Sequence, residues 1–168
     1  FQYPVKYVDS NGFVKDISTS IKSASGSEYV AANGNVQDNA ATQLRNEYAF
    51  SSEENSIKVF YSDDLSNTSS AIVATNSDWT IGLAPSVSSS NAVSTTLHSA
   101  NNSRVSASAA NDDDTFSKIE YSGAFNGDVS LYYRTTYTGY KELIEIKSPI
   151  ENNTFQFVLT TNGLLPEV

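Results

Sequence analysis

The sequence predicts an all-β protein: a single antiparallel β-sandwich of about a dozen short strands, with one long polar excursion at about residues 85–115. Three observations carry this. Apolar and polar residues alternate with a period of two almost throughout. Turn-forming residues punctuate the alternation at intervals of roughly 8–14 residues. Only 39–47 has any helical character, and it lacks a wide apolar stripe, so it is expected to be strand or turn.

Taken in order, Tyr3, Val5 and Tyr7 alternate with polar neighbours, and Phe13, Lys15 and Ile17 resume the pattern beyond Asp9-Ser-Asn-Gly12. An Asn-Gly pair between two alternating runs is a hairpin signal, because both residues accept the positive φ of a tight turn. Further strands are expected at Glu28–Ala32, Leu44–Phe50, Ser56–Tyr61, Ala71–Thr75, Asp78–Ala84, Ala92–His98 and Arg104–Ala109. Four more follow at Phe116–Tyr121, Asp128–Thr135, Tyr140–Lys147 and Thr154–Thr160. Asp63-Asp64, Asn76-Ser77-Asp78, Asn101-Asn102, Asn111–Asp114, Asn126-Gly127 and Asn152-Asn153 supply the turns. The run Pro85–Asn91 reads as linker-like and opens the excursion.

Composition narrows the function classes. The 168 residues hold 10 Lys and Arg against 19 Asp and Glu, a formal net charge of −9. Such a balance argues against nucleic acid as a partner and against anionic membrane surfaces. Without an apolar run of about 18 residues, no transmembrane helix is expected. Cys is absent, which removes disulfides, thiolate nucleophiles and Cys-based metal sites. Met is absent too, and the chain runs from Phe1 to Val168, so the expectation is one module excised from a larger secreted protein.

Few residues suggest chemistry. His98 is the sole histidine and sits where a strand end is expected, without a Gly-x-Ser-x-Gly turn to supply a nucleophile. It reads as a surface or strand-edge residue. Glu53-Glu54 and Asp63-Asp64 fall in loops and read as solvated turns, whereas Glu120, Glu142 and Glu145 fall on strands, where paired carboxylates could act on a glycan. Asp112, Asp113 and Asp114 concentrate hard oxygens of the kind calcium takes, although EF-hand spacing is missing; no other cofactor is expected. Tyrosine is the conspicuous surplus, ten against one Trp. Tyr132, Arg134, Tyr137 and Tyr140 form a candidate ligand-binding group, because exposed rings can stack on sugars. Alternation places Leu131 and Tyr133 on one face of their strand and Tyr132 and Arg134 on the other. Two or more exposed rings in a row would favour a carbohydrate platform; rings buried in the core would remove it. Trp79 alternates with Ile81 and Leu83 and is expected in the core.

Two segments resemble a known pattern. Pro4-Val-Lys-Tyr-Val-Asp-Ser-Asn-Gly-Phe-Val-Lys-Asp-Ile17 looks like a hairpin found in the N-terminal β-rich regions of large secreted bacterial YD-repeat proteins, the wall-associated and RHS-like proteins. Ile119-Glu-Tyr121, Phe125-Asn-Gly-Asp-Val129, Leu131-Tyr-Tyr133 and Gly139-Tyr-Lys-Glu-Leu-Ile-Glu-Ile146 are similar to a later stretch of that region, which Asn153–Leu159 and Gly163-Leu164 continue. The pattern's Asp-Leu is Asp128-Val129 here, and residues 86–115 match nothing in it. The resemblance implies an extracellular β-rich module of a Gram-positive surface protein and carries over no catalytic residue. The reading that follows is a non-catalytic structural or adhesive module. Its expected partners are neighbouring modules of the same chain, a polysaccharide or another surface protein, without membrane insertion. The alternatives are a carbohydrate-binding module using surface tyrosines and a glycan-active enzyme with paired carboxylates. Asp128 and Lys141 are expected to pair across neighbouring strands.

Overall fold

The computed structural model describes residues 6–9, 11–24, 39–65, 70–76, 78–86, 93–99, 117–151, 154–162 and 164. The expected strands Glu28–Ala32 and Arg104–Ala109, and the calcium candidates Asp112, Asp113 and Asp114, lie outside them.

Along the chain the elements are β1 (Lys6–Val8), β2 (Val14–Asp16), β3 (Lys22–Ser23), α1 (Asn39–Glu47), β4 (Phe50–Ser52), β5 (Lys58–Tyr61), β6 (Ile72–Thr75) and β7 (Thr80–Pro85). Then come β8 (Ser94–His98), β9 (Lys118–Asn126), β10 (Val129–Thr136), β11 (Gly139–Ile146) and β12 (Phe157–Asn162). They form a two-stranded sheet β1-β2, a four-stranded sheet β11-β10-β9-β8 and a six-stranded sheet β12-β7-β6-β5-β4-β3. Every pairing is antiparallel. The all-β, sandwich-like class is therefore as the alternation predicted.

Turn chemistry works where expected. The Asp9 carboxylate accepts from the Asn11 and Phe13 amides, both at 2.9 Å, while Gly12 takes φ 82°. Asn126 Oδ1 likewise accepts from the Asp128 amide at 2.9 Å, turning β9 into β10. Before that turn the β9–β10 register shifts, and Gly123 sits in the irregular stretch at φ 74°. The bulge carries Phe125 to within 4.8 Å of Phe155 and 5.6 Å of Phe157 (ring centroids), which joins the end of β9 to the start of β12.

The two large sheets face each other across one core. Val59, Tyr61, Ile72 and Ala74 come from the six-stranded sheet; Ile119, Tyr121, Leu131 and Tyr133 come from the four-stranded one. Trp79 packs against this core, as its alternation with Ile81 and Leu83 implies. The buried tyrosines also act as polar ties. Tyr61 Oη lies 2.6 Å from Thr135 Oγ1, and Tyr121 Oη donates to the carbonyls of Ser62 (2.7 Å) and Ala71 (3.1 Å). Asn55 Nδ2 donates across the same gap to the carbonyls of Thr136 and Tyr137 at 3.1 and 3.2 Å. A buried hydroxyl costs free energy unless bonded, so these partners let tyrosine fill the core.

Three expectations are corrected. Residues 39–47 are a helix rather than a strand or turn, and Leu44–Glu47 belongs to it. Ala, Gln, Leu, Arg and Glu dominate the segment and favour helix, and a narrow stripe suffices: Ala41 and Leu44, with Tyr48 just beyond, pack on Phe60 and Val73. This covers Phe60 and Val73 on the outer face of the six-stranded sheet. Glu53 is not a solvated turn residue but buried: it accepts from Arg45 Nε at 3.0 Å through each carboxylate oxygen and from Ser51 Oγ at 3.0 Å. Asp128 and Lys141 do not pair: register sets Lys141 opposite Arg134, while the Asp128 carbonyl accepts from the Lys147 amide at the far end of β10–β11. Within the span 85–115, the expected strand Ala92–His98 is β8, which lies in the four-stranded sheet beside β9.

Candidate functional site

The expected ligand-binding residues fall on β10, the turn after it and the start of β11, so the four-stranded sheet is where a site would be built. Directly opposite residues of antiparallel strands share a face. Leu131, Tyr133 and Thr135 are buried and face the core, while Tyr132 and Arg134 face outward, as alternation predicted. The group of four does not stay together. Tyr132 and Arg134 share the outer face and Tyr137 lies in the turn between β10 and β11. Tyr140, opposite Thr135, faces inward and packs edge-on against Tyr133 at 6.1 Å.

The outer face has its own hydrogen-bonded order. Tyr132 Oη donates to Glu145 Oε2 at 2.8 Å, and His98 Nε2 lies 2.8 Å from Glu120 Oε2. The Tyr132 hydroxyl also interacts with Glu120, so it links the two carboxylates. Lys118 Nζ stands 5.1 Å from the centroid of the Tyr132 ring. Burial raises the Tyr132 pKa, and so do the two carboxylates that hold its proton, Glu145 first and Glu120 second. Burial would raise the Glu120 carboxyl as well, but hydrogen bonds with His98 and Tyr132 together outweigh it and hold the group below its ordinary value. His98 ends β8, an edge strand of its sheet, which fits the strand-edge reading.

The three strand glutamates separate by face. Glu142 is opposite Tyr133 and points inward, accepting from Tyr133 Oη at 2.8 Å, and burial raises its pKa. Glu120 and Glu145 are on the outer face. The acid with the raised pKa is thus on the opposite side of the sheet from the other two, whereas glycoside hydrolysis needs an acid and its partner carboxylate flanking one bond.

The outer face also carries cations that sequence reading did not single out as a group. Register sets His98 opposite Lys118, Lys118 opposite Arg134, and Arg134 opposite Lys141. These positions come from four strands, and no local motif joins them.

A second exposed feature is the strand β12, an edge of the six-stranded sheet. Leu159 pairs with Leu83, whose side chain reaches the core, yet Leu159 and its neighbour Val158 are each 58% exposed. No family model, no curated protein and no solved structure matches this chain.

Proposed function

We propose that this chain is a non-catalytic structural or adhesive module of a large secreted, multidomain bacterial cell-surface protein of the YD-repeat or wall-associated type. The observation that carries the reading is β12. Edge strands are ordinarily guarded by charge, proline, bulges or brevity. β11, one edge of the four-stranded sheet, carries Lys141, Glu142 and Glu145, its other edge β8 is five residues ending in His98, and β3 is two residues long. By contrast β12, Phe-Val-Leu-Thr-Thr-Asn, is six residues without charge, Gly or Pro, and pairs with β7 along its full length without a register shift. Such an edge suits strand addition by a neighbouring module, which would cover Val158 and Leu159 and continue the backbone ladder. The ties through Tyr61, Tyr121 and Asn55 give cohesion without disulfides, as a surface module needs.

The test is amide hydrogen exchange of 157–162 in the chain alone and in the intact secreted protein that carries it. The β12 amides that point away from β7 should exchange about a hundredfold more slowly in the intact protein. Equal exchange in both would refute the reading. A tyrosine platform for neutral sugars is not what the geometry assembles: of the four candidates, Tyr132 and Arg134 alone share the outer face, and Lys118 stands over the Tyr132 ring.

A further inference from the structure

We propose that the outer face of the four-stranded sheet binds an acidic polysaccharide, gripped by the cross-strand row Lys118, Arg134 and Lys141 with His98 at its end. Strand spacing of about 4.8 Å makes the row about 14 Å long from β8 to β11. Register sets two like-charged pairs side by side, Lys118 opposite Arg134 and Arg134 opposite Lys141, which concentrates positive charge along one line of the face. The chain has only 10 Lys and Arg against 19 Asp and Glu, yet three of the ten stand in this one line. A polyanion laid across the strands meets each cation in turn. Lys141 is exposed and the His98 side chain is 41% exposed, so the two ends of the row are reachable from solvent, while Lys118 and Arg134 between them are half-buried.

The next row across the sheet is Thr96, Glu120, Tyr132 and Leu143. Its hydroxyls and carboxylate oxygens are acceptors for sugar hydroxyls, which gives the face both parts of an acidic sugar to recognise. The same row disfavours nucleic acid. Glu120 in this row and Glu145 in the row beyond repel a second line of phosphates, and the one tyrosine ring of the row lies under the Lys118 ammonium rather than open as a base-stacking platform. The inference rests on strand register and charge, and holds whether or not β12 joins a neighbour.

The experiment is calorimetric titration of the folded chain with polygalacturonate at low ionic strength and in rising NaCl, with neutral dextran and a single-stranded oligonucleotide alongside. Polygalacturonate should bind and weaken with salt, and dextran should not bind. Lys118→Gln/Lys141→Gln should weaken binding by about tenfold or more. Lys6→Gln/Lys22→Gln, which removes the same charge from the β1 hairpin and β3, should change it by less than about twofold. Exposed Lys141→Gln alone serves if the double variant unfolds, with a loss of about threefold expected. The proposal is overturned by no binding to polygalacturonate, by equal losses in both double variants, or by tighter binding to the oligonucleotide. It is also overturned if Lys118→Gln/Lys141→Gln lowers the melting temperature and leaves binding unchanged, which would make the row an internal structural device.

Discussion

The tie between Tyr61 and Thr135 offers a measurable account of how the two sheets hold together. Both residues are fully buried, their oxygens are 2.6 Å apart, and they come from β5 and β10 in opposite sheets. In Tyr61→Phe the ring stays and the Thr135 hydroxyl loses this partner; in Thr135→Val the shape stays and the Tyr61 hydroxyl loses it. Leaving a buried hydroxyl unsatisfied costs about 1–3 kcal/mol, whereas removing both partners together is nearly neutral. The single variants should therefore each lose about 1–3 kcal/mol, and Tyr61→Phe/Thr135→Val should lose about 1 kcal/mol or less. The resulting coupling is at least about 1 kcal/mol. Urea unfolding can follow this through the fluorescence of Trp79, the sole tryptophan, which packs on the same core. For a domain of this size each kcal/mol also moves the melting temperature by about 2–4 °C. A double variant whose loss equals the sum of the single losses would refute the tie.

Two other perturbations test buried charge. Burial raises the Glu142 carboxyl above its ordinary value, so between that value and the raised one the folded state holds more protons than the unfolded state. Stability should rise as pH falls through this window, and Glu142→Gln, which still accepts from Tyr133, should melt higher than the parent at pH 7 and equally below the ordinary carboxylate range. A melting difference that is constant with pH would contradict the assigned burial. Arg45→Met strands the Glu53 carboxylate and should cost about 3 kcal/mol or more in urea unfolding. Arg45→Met/Glu53→Gln should recover most of that loss; a single variant with less than about 1 kcal/mol lost would show that α1 is not anchored there.

Much of the architecture was readable along the chain because alternation and turn chemistry are local properties. Asn11-Gly12 and Asn126-Gly127 place their turns through residues that accept positive φ or bond their own backbone, and no distant contact is needed. Alternation on β10 divided Leu131 and Tyr133 from Tyr132 and Arg134 for the same reason. The helix at 39–47 escaped because its apolar stripe is only Ala41 and Leu44, with Tyr48 beyond; Phe60 and Val73, which give that stripe its value, are distant in sequence. Glu53 escaped in the same way, since only the docked helix brings Arg45 to it.

The candidate site marks the boundary most sharply. Residue types and spacing settled that this is an antiparallel β protein with tyrosine-rich strands and no cysteine chemistry. Which tyrosines tie the core, which glutamate lies inside, and which cations stand side by side depend on strand order and register. Those are set by the burial of both sheets together, because slipping a strand by one residue would turn its core side chains outward. Lys118, Arg134 and Lys141 are scattered in sequence and become one charged row only when β9, β10 and β11 align.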